Sequence, residues 1–232
     1  MIGVYDYTVI LTYLSMISGC IGTIIAMTGI GHPFVGALFL MVSGLCDGFD
    51  GRVARSKKNR TKLEKDFGVQ IDAFSDLIAF GVLPAAIGVA MLRASDKFTD
   101  RPFWKDDGKY EWYPILLVAI AVIYVLAGMI RLAYFNATEE ERNKEAEEKG
   151  SHYFTGLPIT TASIVFPMVL ILHYYMHFDF SIVYFIVMLI LAVLYLASFK
   201  MRKPGRVGIL VQVLIGAGEF ITIACILLSN FV

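Results

Sequence analysis

The chain has 232 residues, of which 57% are hydrophobic, and its mean hydropathy is +0.68. A soluble domain of this length is far more polar, so the composition predicts a membrane protein. Twenty basic residues balance twenty acidic ones, and this zero net charge offers no support for binding to nucleic acid.

Apolar stretches long enough to cross roughly 30 Å of bilayer hydrocarbon recur along the chain. Seven spans are predicted, and they cover residues 8–30, 33–55, 67–92, 113–136, 158–177, 180–199 and 206–231. We therefore expect an all-α integral membrane protein. Its architecture would be a polytopic bundle of about seven transmembrane helices, which forms a single domain over residues 1–232.

The basic residues predict which ends of the spans face the cytoplasm. Under this topology, 15 of the 20 lysines and arginines fall on one side of the membrane, and many of them lie in the loops 56–66 and 200–206. The excess of positive charge assigns that side to the cytoplasm. The amino terminus is then cytoplasmic and the carboxyl terminus lies outside. The highly charged stretch 138–150 is also cytoplasmic, and we expect a solvated helix there.

Four aspartates lie within this apolar sequence at helical spacings. Asp47 and Asp50 are three residues apart near the cytoplasmic end of the second span, whereas Asp72 and Asp76 are four residues apart at the start of the third. The hairpin between these spans brings all four carboxylates to the same face of the membrane. An ionised carboxylate near hydrocarbon is costly unless it is neutralised, and Arg55 alone cannot balance four of them.

Hard divalent cations such as Mg²⁺ or Mn²⁺ prefer carboxylate oxygens and leave coordination positions open for phosphate. A pair of such ions would balance the four aspartates, so the pattern predicts metal-assisted phosphoryl transfer at a membrane surface. The alternative is an ion or solute carrier in which intramembrane aspartates act as coupling groups. The residues favour the enzyme, because a coupling site has no need of four aspartates with glycine, alanine and arginine between them.

The aspartates belong to a longer pattern, Asp47-x2-Asp50-Gly51-x2-Ala54-Arg55 and then Gly68-x3-Asp72-x3-Asp76. This pattern resembles the signature of the CDP-alcohol phosphotransferase family. The twelve residues between Arg55 and Gly68 make a longer gap than the family usually has. Within the family, the chain is most similar to the phosphatidylserine synthases. The further stretches that carry this similarity lie at 80–84, 128–136 and 154–158.

The resemblance implies an enzyme of phospholipid biosynthesis. Such an enzyme transfers a phosphatidyl-type group from a CDP-linked lipid, CDP-diacylglycerol or CDP-archaeol, to the hydroxyl of L-serine and releases CMP. The resemblance also implies two divalent cations (Mg²⁺ or Mn²⁺) and a homodimer in the cell membrane, with the active site facing the cytoplasm. The same chemistry with another acceptor, glycerol phosphate or inositol phosphate, stays open as an alternative.

The match to the family motif also implies roles for single residues. The metal ligands are Asp47, Asp50, Asp72 and Asp76. Asp76 is in addition the general base that accepts the proton of the serine hydroxyl. The residues expected to bind the CDP-lipid are Gly51, Ala54, Arg55, Gly68 and Thr12. Of these, Gly68 is expected to allow a close approach between helices.

Two charged residues outside the motif need an explanation. Arg131, near the cytoplasmic end of the fourth span, is a candidate for binding the acceptor, because a guanidinium group can receive a carboxylate or a phosphate. The alternative is a helix-end arginine whose head group reaches the membrane interface. Glu219 lies deep in the last span, and we expect it to be protonated or paired at a subunit contact.

Overall fold

The computed structural model describes residues 3–29, 32–95, 112–138, 153–176, 179–202 and 206–231. Its α-helices are α1 (Ile10–Thr28), α2 (Pro33–Ser56), α3 (Lys62–Asp76), α4 (Leu83–Ala94), α5 (Trp112–Ala137), α6 (Ala162–Met176), α7 (Ser181–Leu196) and α8 (Arg206–Phe231). Short 3-10 turns at Tyr7–Val9 and Ile159–Thr161 precede α1 and α6, and a π-helical segment, Leu77–Val82, joins α3 to α4. The strands β1 (Tyr153–Thr155) and β2 (Lys200–Arg202) pair antiparallel.

The predicted fold class is confirmed. Within the described part of the chain, six helices are long and apolar enough to span a membrane, namely Tyr7–Thr28, Pro33–Ser56, Lys62–Ala94, Trp112–Ala137, Ile159–Met176 and Leu210–Ser229. The remaining predicted span corresponds to α7, a shorter apolar helix. These helices support an integral membrane protein. Except for Thr138, the helix expected over 138–150 lies outside the described residues.

The third helix begins earlier than its hydropathy predicts, at Lys62 instead of residue 67. Its first turn is polar, so hydropathy does not detect it, but the turn is stabilised by a capping box. Thr61 accepts a hydrogen bond from the Glu64 amide, and the Glu64 carboxylate accepts one from the Thr61 amide. Only residues 57–61 separate α2 from α3, so the longer gap in the motif is mostly helical.

Small and hydroxyl-bearing residues allow α1 to pack closely on α2 and on the third span. A Cβ atom on Gly22 would lie 2.8 Å from the Cβ of Phe39. Ser15 and Ser43 each donate a hydrogen bond to the other's backbone carbonyl, at 3.4 and 3.1 Å. In hydrocarbon, such close contacts and interhelical hydrogen bonds are a main source of helix association. This packing fixes the position of α2, which carries half of the aspartate motif.

The third span changes its helical register directly after Asp76. In the π-helical segment, the Leu83 amide donates to the Ile78 carbonyl, five residues earlier. In a regular α-helix the Phe80 carbonyl would accept from residue 84, but Pro84 has no N–H and its ring would collide with that carbonyl. The Tyr124 hydroxyl donates to the Phe80 carbonyl instead, at 2.6 Å. A proline and a buried hydroxyl therefore accompany the π-helical turn.

The two short strands were not expected from the sequence. They join the segment that precedes α6 to the segment that follows α7. Gly156 lies next to β1 and has φ of +71°, a left-handed conformation that favours glycine. Its amide donates to the Phe199 carbonyl at 2.7 Å. The resulting corner lies beside the end of α5 and contacts Arg131.

Candidate metal centre and active site

The α2–α3 hairpin brings the aspartates of the motif together, as their spacing predicts. Carboxylate oxygens of Asp47, Asp50 and Asp72 all lie within 4.8 Å of one another. These three side chains are partly buried, whereas Asp76 is buried, with 8% of its surface exposed. The cluster therefore opens on one side and is closed at Asp76.

The four carboxylates form two pairs across the hairpin. Asp47 lies within hydrogen-bonding reach of Asp76, and Asp50 lies within reach of Asp72. This arrangement follows from the antiparallel course of the two helices. Asp47 and Asp76 both lie farther from the 57–61 loop and face each other, whereas Asp50 and Asp72 both lie nearer to the loop and form the second pair. Each pair joins one carboxylate from α2 to one from α3.

The residues present fit a divalent cation. No aspartate of the cluster has a lysine or arginine within ion-pairing distance among the residues that the structure describes. The positive charge of Arg55 attracts the Asp50 carboxylate, but the Arg55 side chain is exposed to solvent. Several carboxylates in close contact repel each other unless a cation lies between them. A set of oxygen donors without nitrogen or sulfur suits Mg²⁺ or Mn²⁺ better than Zn²⁺.

Thr12 on α1 contacts the cluster from behind. Its hydroxyl donates to Oδ2 of Asp50 at 3.2 Å, and its backbone carbonyl accepts a hydrogen bond from Ser75 at 3.2 Å. Thr12 is buried, so it joins α1 to both helices of the hairpin. The Thr12 hydroxyl therefore contacts a candidate metal ligand, and its one proton is directed at Asp50. The predicted contact of Thr12 with the CDP-lipid stays a prediction.

The other residues predicted to bind the CDP-lipid lie on the same two helices, towards the ends that the 57–61 loop joins. The Arg55 guanidinium folds over Gly51, where a Cβ atom would lie 3.2 Å from its Nη1. Gly68 leaves room for the side chain of Arg60, because a Cβ there would lie 2.7 Å from Arg60 Nη2. The expected close approach of another helix at Gly68 is therefore wrong, since an arginine side chain fills that space. Ala54 is partly buried on α2.

An ion-pair network closes the hairpin at its loop. Lys57 Nζ lies 2.6 Å from the Asp6 carboxylate and 2.7 Å from the Glu64 carboxylate. Its hydrogen bond to Asp6 is the main reason why the pKa of that carboxyl is lowered from 3.8 to about 2. Lys57 thereby ties the segment before α1 to the start of α3. Because its charge is used in this way, Lys57 is a poor candidate for binding a substrate phosphate.

Arg131 lies inside the protein, and this burial overturns the alternative of an arginine that reaches the interface. Only 9% of its surface is exposed. Its Nη1 donates to the Tyr195 carbonyl at 3.3 Å, and its guanidinium lies 5.7 Å from the centre of the Phe135 ring. A Cβ atom at Gly156 would lie 2.7 Å from Arg131 Nη1, so only glycine leaves the guanidinium its place. Arg131 and Gly156 lie in the stretches 128–136 and 154–158 that carry the resemblance, and the fold places the two residues in contact.

Residues 8–198 match the CDP-alcohol phosphatidyltransferase family. The chain belongs to this family. No solved structure was found to match the chain.

Among named members, the chain is 33% identical over 165 residues to CDP-diacylglycerol–serine O-phosphatidyltransferase of Saccharomyces cerevisiae, an alignment that covers 67% of this chain and 51% of the relative. It is 29% identical over 148 residues to the Helicobacter pylori protein of the same name, with 63% and 51% covered. It is 26% identical over 196 residues to archaetidylserine synthase of Methanothermobacter thermautotrophicus, with 84% and 70% covered. The chain thus spans about half the length of the first two relatives.

The family match ends before α8, and α8 carries a buried acidic residue. Glu219 is 5% exposed, and neither of its carboxylate oxygens has a hydrogen-bond partner among the described residues. The helix packs on α2 and α6. Glu219 is therefore enclosed by helices of its own chain, so the expected pairing at a subunit contact is not needed to bury it.

Proposed function

We propose that this member of the CDP-alcohol phosphatidyltransferase family transfers a lipid-bearing phosphoryl group from a CDP-linked lipid to the hydroxyl of L-serine. The observation that carries this proposal is the convergence of the Asp47, Asp50 and Asp72 oxygens within 4.8 Å, with Asp76 beside Asp47. The names of the relatives support serine as the acceptor. Those relatives include proteins named for a diacylglycerol lipid and one named for an archaeal lipid, so the proposal covers CDP-diacylglycerol and CDP-archaeol.

In the proposed reaction the serine hydroxyl oxygen forms a bond to the phosphorus that carries the lipid. The bond from that phosphorus to CMP breaks, and CMP leaves with the electron pair. Asp47, Asp50 and Asp72 would hold one divalent cation, and Asp76 would complete the site of a second. Bound Mg²⁺ or Mn²⁺ would neutralise the diphosphate and stabilise the charge that develops on the leaving phosphate.

Asp76 is the proposed general base that accepts the proton of the serine hydroxyl. A base must lie within hydrogen-bonding reach of the proton that it removes. Asp76 is the most enclosed of the four aspartates, so a hydroxyl held beside it is shielded from bulk water. This matters because water is itself an acceptor and would hydrolyse the CDP-lipid.

The two substrates are proposed to bind at separate groups of residues. Gly51, Ala54 and Arg55 are proposed to contact the CDP moiety at the cytoplasmic end of α2, with Thr12 and Gly68 nearby. A Cβ atom on Gly48 would meet no atom within 4 Å, so this end of α2 has open space for a ligand. Arg131 is proposed to receive the carboxylate of serine, because it is a buried cation beside the Gly156 corner.

The proposal also covers the membrane location, the topology and the oligomeric state of the protein. The positive charge of the loops supports an active site on the cytoplasmic side of the cell membrane. The single domain over 1–232 and the homodimer are part of the same proposal. Cysteines introduced at Asn59 and Asn143 should react with an impermeant reagent only from the cytoplasmic side. Labelling of these two positions from opposite sides would contradict the topology.

The acceptor is tested by purified protein, a CDP-lipid, a divalent cation and one acceptor at a time. The acceptors are L-serine, glycerol 3-phosphate and inositol phosphate, and the readouts are CMP and the mass of the lipid product. We expect CMP and a serine-containing lipid only with L-serine. Release of CMP with another acceptor would show that the enzyme uses a different acceptor in the same phosphoryl-transfer reaction. A protein that releases no CMP with any acceptor, yet moves a solute across vesicles, would support a carrier.

A further inference from the structure

Two buried tyrosine hydroxyls lie behind the helix that carries Asp76. Tyr124 on α5 and Tyr195 on α7 are almost completely buried, and their hydroxyl oxygens lie 3.4 Å apart. Tyr124 donates to the Phe80 carbonyl at 2.6 Å. Tyr195 donates to the Ile159 carbonyl at 3.1 Å. Each hydroxyl thus has a backbone carbonyl as its acceptor.

The two hydroxyls cannot replace each other. A tyrosine hydroxyl has one proton, and both protons are directed at carbonyls, so none is left for the contact between the two oxygens. If Tyr124 lost its hydroxyl, Tyr195 could reach towards the third span only by leaving Ile159. The Phe80 carbonyl therefore depends on Tyr124 for its hydrogen bond from a side chain.

The position of Phe80 makes this hydrogen bond important for the site. Phe80 lies in the π-helical segment that begins at the residue after Asp76. A π-helical turn holds an extra residue and so changes the direction in which the preceding side chains point. Pro84 removes the amide that would otherwise bond to the Phe80 carbonyl and draw this turn back into an α-helix. The turn that sets the direction of Asp76 is thus held from outside the helix.

We propose that Tyr124 is a positioning residue for Asp76. Its hydroxyl holds the Phe80 carbonyl, and this contact keeps the π-helical turn in the register that places Asp76 beside Asp47. Tyr124 takes no part in proton transfer or in metal binding. The inference rests on the proposed function for its kinetic test, but metal binding by the protein alone tests it independently.

Tyr184 offers a matched control. It lies on α7, is fully buried, and donates to the Pro84 carbonyl at 2.9 Å. Tyr124→Phe and Tyr184→Phe therefore remove the same group from two buried carbonyls of the same span. The Pro84 carbonyl lies beyond the π-helical segment, one helical turn farther from Asp76 than Phe80. If both tyrosines serve stability alone, the two variants should behave alike.

The experiment compares wild type, Tyr124→Phe and Tyr184→Phe as purified full chains. It measures the melting temperature, Mn²⁺ binding without substrates by electron paramagnetic resonance, and the kcat and KM of CMP release. We expect both variants to melt earlier. Only Tyr124→Phe should bind Mn²⁺ more weakly and lose about tenfold in kcat at an unchanged KM for the CDP-lipid, because small displacements of a reacting group have effects of at least this size.

Equal Mn²⁺ binding and equal kcat in the two variants would overturn the inference. If wild type releases no CMP, the proposed function fails, and Mn²⁺ binding alone then decides the role of Tyr124. A Tyr124→Phe protein that does not fold is replaced by a comparison in the background of Pro84→Ala. This substitution returns an amide donor to the Phe80 carbonyl, so it should draw the turn towards an α-helix and itself weaken Mn²⁺ binding. In that background Tyr124→Phe should have little further effect on Mn²⁺ binding. A further tenfold loss there would also contradict the inference.

Discussion

The Thr12 hydroxyl lies 3.2 Å from Oδ2 of Asp50 and joins the first helix to the aspartate cluster. A hydrogen bond to a charged group contributes about 1.5–3 kcal/mol, and its loss would leave Asp50 free to change rotamer. We therefore expect Thr12→Val to weaken Mn²⁺ binding by about tenfold. Thr12→Ser keeps the hydroxyl and serves as the control. Equal Mn²⁺ affinity in both variants, measured by paramagnetic resonance, would show that this hydrogen bond does not hold the cluster.

Asp72 and Asp76 share α3 but are expected to fail in different ways. Asp72→Asn removes the negative charge of one of the three side chains whose oxygens converge within 4.8 Å, so it should lose both metal binding and turnover. Asp76→Asn should keep part of the metal affinity and lose about a hundredfold or more in kcat, which is typical for removal of a general base. Metal titration and CMP release are measured on the same samples. Near-normal turnover of Asp76→Asn would exclude it as the base.

Removal of divalent cations tests the cluster without a mutation. The partly buried aspartates have no lysine or arginine partner in the described ranges, so their mutual repulsion should increase when cations are absent. Chelation should stop CMP release, and Mg²⁺ or Mn²⁺ should restore it. Ca²⁺ is the control, because it accepts larger and less regular coordination. Full turnover in a metal-free preparation would contradict a metal-dependent mechanism.

The hairpin and its aspartates could be predicted because they depend on local rules. Helical spacing puts Asp72 and Asp76 on one face, and a short loop between two spans forces the motif halves together. Hydropathy likewise predicts the spans, but it misses the polar first turn of α3. The contacts between Tyr124 and Phe80 and between Arg131 and Gly156 join residues that are far apart in sequence. No spacing rule reveals them, because they depend on how separate helices pack.

The ion pair between Asp6 and Lys57 predicts a change of stability at acid pH. The pKa of Asp6 is about 2 in the folded protein and 3.8 ordinarily, so its stabilising effect is complete only above about pH 5 and is lost as the pH falls through 3.8 towards 2. Asp6→Asn should remove this part of the acid dependence, and thermal unfolding at pH 5 and pH 3 measures it. Asp66→Asn, which changes an exposed carboxylate outside the Lys57 network, is the control. The same pH dependence in wild type and Asp6→Asn would contradict the prediction.

The last prediction concerns the serine carboxylate and Arg131. Removal of a charged partner from a bound ligand typically costs about 2–5 kcal/mol, so Arg131→Ala should raise the KM for serine by about a hundredfold and leave the KM for the CDP-lipid unchanged. Arg131 also donates to the Tyr195 carbonyl, so a loss of structure has to be separated from a loss of charge.

Two further variants separate the effects of Arg131. Arg131→Lys keeps a charge and should recover part of the serine affinity. Gly156→Ala keeps Arg131, but its new methyl group would lie 2.7 Å from Nη1 and 2.7 Å from the Ala197 carbonyl oxygen, at a position with φ of +71°. It should therefore displace the guanidinium and also strain the corner, which its melting temperature measures. We therefore expect Gly156→Ala to raise the KM for serine as well. If the variants raise the KM for the CDP-lipid and leave the KM for serine unchanged, Arg131 is assigned to the lipid diphosphate. If all three variants keep both KM values, the role of Arg131 is only to hold α5 against α7 through its hydrogen bond to Tyr195.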